Sequence, residues 1–459
     1  MLRRALRSAC PYILLFLGLS VVYHSNLRPI PSGDSLCTSL LPLSILLDHS
    51  VLLDRFGPWL FSHVPYTREV IRLKAGHYFS GYPIAGAVFV TPLYLPLLLV
   101  PRIHQWDPGS LVALARILEK FAAAAIAAFS AVVMLALLRR ITSRYWAWRL
   151  TLVYALATAT WSIASQALWQ HTTVELAVTG AFFFLESWWR TRAGHALWWC
   201  GVCAGAALMI RPGEVVLLAA LAVALLAGRA NLADYARLIV LPLLGGVLAL
   251  AYNLNFFDNL TGTYTFGMWA GSAVNGVIGL LVSPGRGLLI YMPVAIFALG
   301  AFTPMAADAR RKFAPLVAAG VTFAVLHFLV VSRVNLWWGG YCWGPRYLTE
   351  ILPALVMLMA LGSAALDRSW IKRSLAVVAL YCVFIQVLGA YFYPNGHWDN
   401  TPVPVDQAGY RVWNWRDNPI HRTLTAGPLP QPYEIVGAAL TGGISAGSRK
   451  MHEAGVNLY

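Results

Sequence analysis

Residues 121–138 read FAAAAIAAFSAVVMLALL, eighteen in a row without a charge. A helix needs roughly 17–25 apolar residues to cross the hydrocarbon of a bilayer, and this block supplies them with no polar stripe left to face water. Stretches 238–254 and 314–331 have the same character. A soluble helical bundle or solenoid requires a polar face on each helix, so that class is excluded. The composition agrees, with 59% hydrophobic and 12% charged residues, against a charged share of about 25% in ordinary soluble domains. The chain reads as an all-α polytopic membrane protein.

The net charge of +15 would suit a nucleic-acid partner if it were carried by a basic, aromatic-interleaved soluble module, and no such module exists. The charge is read instead through the bilayer, where Lys and Arg concentrate in short cytoplasmic loops. Arg3, Arg4 and Arg7 precede a first apolar stretch at 11–23 that lacks a small-residue cleavage site, so it reads as an uncleaved anchor with the N-terminus inside. Further spans are predicted at 121–138, 150–168, 172–189, 195–210, 214–228, 238–254, 287–303, 313–331, 350–366 and 374–391, about eleven transmembrane helices in all. Alternation then puts the N-terminus and the loops near 139–149, 190–192, 229–237, 310–312 and 368–373 in the cytoplasm. These short pieces hold half of the 34 Lys and Arg residues, while most of the 19 acids lie elsewhere.

Segment 83–100 competes with this count, because it is apolar and long enough to cross. If it crossed, every later arginine-rich loop would lie outside, and its three prolines suit a broken or interfacial segment better. Residues 26–120 are therefore expected to form one large extracytoplasmic loop carrying interfacial helices. The catalytic membrane domain would run over 1–391, with 392–459 as an extracytoplasmic tail. The six cysteines show no metal-ligand spacing. Cys200 and Cys203 fit packing within a span, and a disulfide between Cys37 and Cys342 in the outer loops stays open.

Chemistry is expected on the outer face. Arg211, Arg286, Arg333 and Arg346 occur singly at the outer ends of spans, against the positive-inside rule. Each alone could snorkel or pair with Glu214 or Glu350, but four at one level suit an anionic group such as a lipid phosphate, which guanidinium binds bidentately. Exposed loop aspartates are ordinarily solvated. Asp34, in PSGDS, lies about ten residues past the first span, where the Pro-Ser-Gly approach would turn a base towards the membrane surface; Asp48 is the second candidate. Lys74, His77 and Tyr82 follow in RLKAGHYFSGYP. LLVSPGRGLLIYMP and LWWGGYCWGPRYL bring glycines and aromatics round Arg286 and Arg346, with Trp338, Tyr341 and Trp343 as sugar or lipid contacts or as plain headgroup anchors. Ser-His-Asp spacing, GxSxG, HExxH and the phosphate-binding GxxxxGK[ST] are all missing, which argues against nucleotide-driven transport.

With these residues in place, the sequence resembles the C-type (GT-C) integral-membrane glycosyltransferases, in the bacterial branch related to protein O-mannosyltransferases and aminoarabinose transferases. The resemblance rests on one span, a large outer loop opening on an acid, HYFSGYPIAGAVF as entry to a juxtamembrane helix, and the two Gly-aromatic loops. It implies a polyprenyl-phosphate-linked sugar donor, inverting transfer to a lipid, glycan or protein acceptor, and a catalytic acid in the first loop. Carried onto this chain, Asp34 would be the base, and Lys74 with the outer arginines would hold the donor phosphate. Ser80-Gly81-Tyr82-Pro83 departs from the family's Glu-Lys-Pro-Pro or His-Pro-Pro at that place, which leaves the phosphate ligand and any second acid undetermined. No Asp-x-Asp pair opens the loop, so chemistry without a cofactor or metal is expected. The setting implied is a bacterial inner (plasma) membrane with the site on the periplasmic or extracellular side. A transporter or scramblase of a lipid-linked sugar would bind the same ligand, but such proteins show inverted repeats and broken charged helices at mid-bilayer. Here only His327 is clearly ionisable deep in a span.

Overall fold

The computed structural model describes residues 2–428 except 27, 29–31, 65–66 and 265, together with 437–438, 441–443, 445–446 and 449–450. The rest of the tail that the sequence places at 392–459 lies outside the described residues.

Helix of α, π or 3-10 type covers most of each stretch that the sequence marks as a span; 150–168 is interrupted at 157–158 and leaves helix after Ala164. The elements are Leu2–His24, Pro108–Ile141, Arg144–Leu156 continued by a π turn at Thr160–Ala164, Gln170–Thr191, Gly194–Ile210, Val215–Ala227, Leu232–Phe257, Pro293–Phe302, Ala314–Ser332, Leu352–Leu361 and Ser369–Val387. Among the described residues, Pro108–Ile141, Leu232–Phe257, Ala314–Ser332 and Ser369–Phe392 are each long and apolar enough to cross a membrane unaided. Gln170–Thr191 has the length but opens on a polar run, Gln170-His171-Thr172-Thr173, with Glu175 one turn further on. A helix Ala273–Val282 occupies part of what the sequence reads as one long outer loop; its Gly276 and Gly279 let it lie against Ser332 and Trp337.

The longest helix sets the layering. Asp107 caps it by accepting from Ser110 N at 3.0 Å, proline stands in its first turn, and Arg139 and Arg140 close it. Its 34 residues rise about 51 Å at ~1.5 Å each, well beyond the ~30 Å of hydrocarbon. The N-terminal part therefore projects, and the first loop packs on it. Helix Gly33–Asp48 buries Leu36, Leu40 and Leu43 against Leu111, Val112 and Ala115, with Val90, Tyr94 and Leu97 closing a second, smaller core. A hairpin of strands Ile71–Lys74 and His77–Ser80 completes this layer.

The Ala85–Leu99 segment is a short α-helix broken into 3-10 geometry at Thr91, just before Pro92. It starts beside Tyr82, whose hydroxyl donates to Asp34 at 2.8 Å, and leads to His104, whose carbonyl accepts from Arg55 at 3.1 Å. Both ends are thus held in the same loop layer.

At the opposite end of the bundle the arginine-rich connections gather. Arg140 pairs with Glu186 at 2.8 Å, and Arg139 reaches Tyr12 at 3.0 Å. Trp146 donates to Asp367 at 3.2 Å and Trp189 to the Lys312 carbonyl at 2.8 Å, while Arg192 caps the Gly228 carbonyl at 2.9 Å. Leu232–Phe257 presents Leu243, Leu244, Val247 and Leu248 outward. Its inner face meets Gly194–Ile210 through small residues: a Cβ on Gly201 would lie 2.7 Å from the Leu238 carbonyl oxygen. Without a hydrophobic force between helices in lipid, such close backbone approach supplies the packing.

The two ends generate a test of sidedness. In a Cys10→Ser background, cysteines at Ser143 and Arg311 are expected to stay shielded from a membrane-impermeant thiol reagent in intact cells, while those at Asn259 and Thr401 label. Labelling of Ser143 from outside would invert the orientation.

Candidate functional site

Asp34 stands in the first turn of Gly33–Asp48, after the extended Ser32. The turn expected from Pro-Ser-Gly is thus a helix start, and a carboxylate there is favoured by the helix dipole. Its Oδ1 accepts from the Tyr82 hydroxyl at 2.8 Å, and its Oδ2 meets Arg346 Nη1 at 2.6 Å. Burial opposes the charge on Asp34, but the Arg346 guanidinium and the Tyr82 hydroxyl outweigh it and hold the carboxyl below its ordinary range. Burial, then the Asp34 charge, pushes the Tyr82 phenol far up, so it remains a donor.

Arg346 leads the short 3-10 turn Arg346–Ile351. Its guanidinium lies 5.9 Å from the Trp169 ring and 5.5 Å from the Tyr347 ring, and its Nε is buried without a hydrogen-bond partner. Arg211 approaches the same Tyr347 ring at 5.1 Å, so two cations share one aromatic ring. Arg211 also pairs with Glu350, which accepts from His171 at 2.6 Å. Beneath them His327 faces Glu214 at 3.3 Å, and its Nε2 donates to the Tyr347 carbonyl at 2.8 Å. Tyr264 donates to Gln170 at 2.8 Å, closing the rim.

Apolar grooves open from this polar cluster. A cavity of about 560 Å³ carries Arg211, Tyr264 and Tyr347 at its head and Leu208, Leu250, Met268 and Trp269 along its walls. Beside it, about 430 Å³ lies between the Ala85–Leu99 segment and helices Gly194–Ile210 and Leu232–Phe257, with Pro212, Ala249 and Asn253 common to both. A third apolar groove of about 440 Å³ continues from Phe89 and Ile210 down to Phe129, Phe184 and Trp199. Among the described residues no group of three or more His, Cys, Asp or Glu side chains is arranged to hold a metal ion.

The structure brings together only some of the residues singled out in the sequence. Asp34, Tyr82, Arg211 and Arg346 converge. Asp48 ends the helix that Asp34 begins and is engaged by Arg55, about 21 Å away at ~1.5 Å per residue. Lys74 sits at the far tip of the hairpin from Tyr82, held by Asp258 at 2.8 Å and the Asn255 carbonyl at 3.0 Å. His77 bonds Asp54 at 2.8 Å. Arg333 is exposed at the end of Ala314–Ser332.

Arg286 belongs to a different assembly. Fully buried, it meets Asp399 at 2.7 Å and donates to the Gly340, Gly285 and Trp338 carbonyls at 2.8, 2.9 and 3.0 Å. Its fork is occupied by the tail and the Gly-aromatic loop. Trp338 donates to Asp406 at 2.8 Å, Trp343 is buried edge-on against Tyr291, and Tyr341 is exposed. Cys37 and Cys342 are both buried free thiols.

Sequence reasoning missed His171, Trp169, Tyr347, Tyr264 and Gln170, and gave Glu350 only as an ion-pair partner. The signal was there in WQHTTVE, a polar run at the head of an apolar span. This cluster of carboxylates and arginines, with an apolar groove opening beside Arg211, sits on the GT-C fold of membrane glycosyltransferases. The likeness is to ArnT from Cupriavidus metallidurans, solved with undecaprenyl phosphate, at TM-score 0.55 and 14% identity over 97% of this chain and 74% of that one. The apo state of ArnT gives TM-score 0.52 and 16% identity over 96% and 74%. No protein-family model and no curated sequence matches the chain.

Arg286 yields a stability prediction. Removing one partner of a buried pair costs roughly 3–5 kcal/mol, so Arg286→Ala is expected to lower the thermal midpoint in detergent and expose the segment after Tyr393 to protease. An unchanged midpoint and unchanged proteolysis would show that the Asp399 pair does not hold the tail.

Proposed function

We propose that the chain is a membrane glycosyltransferase that moves a sugar from a polyprenyl phosphate to an acceptor hydroxyl outside the cytoplasm. The observation that carries this reading is the Asp34–Arg346 pair, set beside the Tyr347 ring that Arg346 shares with Arg211 at the head of an apolar groove. ArnT, which shares the fold, binds undecaprenyl phosphate, and grooves floored by Leu, Phe and Trp suit a chain of that chemistry. The side bearing Asp34 faces away from the basic loops, which supports a reaction outside the cytoplasm under the positive-inside rule. The active unit is 1–391, with the tail as a docked cover.

In this scheme the donor phosphate enters between Arg211 and Arg346, and Arg346 passes from Asp34 to the phosphate. Binding the donor thereby releases the carboxylate. The acceptor oxygen attacks the anomeric carbon on the face opposite the phosphate, the sugar–phosphate C–O bond breaks, and configuration inverts. Asp34 takes the acceptor's proton, and polyprenyl phosphate leaves with its charge met by the arginines. Tyr82 fixes the carboxylate's orientation throughout.

Two measurements test the assignment. Loss of a general base costs about 10²–10⁴ in rate, so purified Asp34→Asn is expected to bind donor lipid normally and turn over at that deficit; near wild-type turnover would remove Asp34 from the role. Arg346→Lys keeps charge but not the planar fork, and losing a charged hydrogen bond of about 1.5–3 kcal/mol predicts donor binding weaker by about tenfold to 150-fold. Unchanged donor affinity would dismiss the clamp. Donor movement across vesicles with no glycosylated product would favour a transporter.

The pH dependence follows from the depressed Asp34 carboxyl. A group held below its ordinary value near ~4 stays ionised as pH falls through that range and protonates only below it. The acid limb of kcat/KM is expected below about pH 4, and Tyr82→Phe should move it upward by removing a bond to the charged form. A limb above pH 5 in the wild type would contradict the geometry.

A further inference from the structure

Arg116 and Glu119 stand one turn apart on the projecting part of Pro108–Ile141, 0% and 1% exposed, and pair at 2.8 Å. A pair this deep adds little net stability, because taking both charges out of water costs about what their attraction returns. Apolar residues of the same volume often serve a fold as well. Its further hydrogen bonds show what the pair holds. Arg116 Nη2 donates to the Ser32 carbonyl at 2.9 Å and Nη1 to the Ser35 hydroxyl at 3.3 Å. Those two residues bracket Asp34. Glu119 Oε1 accepts from the Leu168 backbone N–H at 2.9 Å. The next residue, Trp169, donates its indole N–H to the Ser32 hydroxyl at 2.6 Å, and its ring lies 5.9 Å from the Arg346 guanidinium. The ties close a ring from Ser32 through Trp169, Leu168, Glu119 and Arg116 back to Ser32.

We propose that Arg116, fixed by Glu119, is a positioning residue for Asp34: it sets the helix start from which the carboxylate projects. Ser32 holds the N-cap position of Gly33–Asp48, where a serine side chain ordinarily accepts from the first-turn amides of its own helix. Here it makes no such bond. Trp169 takes its hydroxyl and Arg116 its carbonyl, so the helix start is fixed from two other segments. A guanidinium suits this task because its planar fork meets the Ser32 carbonyl and the Glu119 carboxylate at once.

The grip matters most once donor is bound. In the scheme above Arg346 passes from Asp34 to the phosphate, which leaves the carboxylate with the Tyr82 hydroxyl and the backbone beneath it. Arg116 takes no part in that exchange, since Glu119 holds it inside the loop layer. It therefore keeps Asp34 in place through the step in which the acceptor's proton is taken. A displacement of about 1 Å at a reacting group costs on the order of 10²-fold in rate. The role in the reaction rests on the proposed transferase reading; the tie between Arg116 and the Asp34 turn does not.

The test uses the full chain in detergent. The double variant Arg116→Met/Glu119→Gln removes both charges together, so neither is left buried alone, and glutamine keeps an acceptor for Leu168. Turnover is read as release of undecaprenyl phosphate from whichever of a panel of undecaprenyl-phosphate hexoses and pentoses the wild type consumes fastest. The double variant is expected to keep its thermal midpoint, its undecaprenyl phosphate affinity and its donor KM, while kcat falls about tenfold to 100-fold. Hydrogen exchange should quicken in residues 33–44 and stay as in wild type in Pro108–Ile141. Arg116→Lys retains the charge against Glu119 but not the fork, and the same fall in kcat at unchanged KM is expected; it decides the matter if the double variant does not fold. Wild-type kcat and exchange in a folded variant would overturn the positioning role, and so would a lowered midpoint with kcat unchanged. A raised donor KM at unchanged kcat would place Arg116 with the donor and overturn it as well. If Asp34→Asn proved fully active while exchange in 33–44 still quickened, the transferase reading and the role in the reaction would fall together and the tie alone would stand.

Discussion

An ion held at the edge of a bilayer must find a counter-charge, and that requirement organises the end of this protein that carries the first long loop. Arg346 reaches back to Asp34, Arg211 to Glu350, Arg116 to Glu119 and Arg286 to Asp399. Three of these pairs join segments far apart in sequence, so each acts as a tie between layers that apolar packing alone would leave free to slide. The Asp34–Arg346 pair joins the first long loop to the turn before Leu352–Leu361, and in doing so fixes where the Asp34 carboxylate stands. It is also partly exposed, whereas the Arg286–Asp399 pair is shut in. That difference in access separates an ion pair that can exchange partners from one that only holds the tail in place.

Much of the architecture was legible because it follows from the solvent. Blocks without charge have one stable home, and the helices fall where the blocks are. Half of the lysines and arginines sit in connections that the structure collects at one end, as the bias in the sequence implies. Segment 83–100 was legible for a different reason: prolines at 83, 92 and 96 forbid a continuous ladder of i to i−4 bonds, and the structure has a broken helix there. The Ala273–Val282 helix was not legible, since it depends on two glycines fitting under Ser332 and Trp337, contacts made across 56 and 58 residues.

The site was only half readable. Asp34, Tyr82, Arg211 and Arg346 carry chemistry in their residue types and stand near predicted membrane edges. Lys74, Asp48 and Arg286 carry the same chemistry, and nothing local distinguishes them; their partners Asp258, Arg55 and Asp399 come from pairings no spacing rule encodes. Lys74 and Arg286 lie more than a hundred residues from those partners. The reverse holds for Trp169 and Tyr347. Aromatics at a membrane edge are ordinary anchors, and their role as a shelf for two guanidinium groups exists only once the bundle has closed.

The hairpin tip gives the bilayer a mechanical part in all this. Leu232–Phe257 is the least enclosed of the long helices, lying along the bundle on a strip of small residues. Just past its outer end, Asp258 grips Lys74; the hairpin carries that grip to Ser80, whose hydroxyl bonds the backbone of Tyr82, and Tyr82 holds Asp34. A helix of 26 residues is about 39 Å long at ~1.5 Å each, and it meets a thinner membrane by tilting. Any such tilt draws on a four-link lever whose last arm is the carboxylate. The thickness of the surrounding lipid thus bears, through these contacts, on where the Asp34 carboxylate stands.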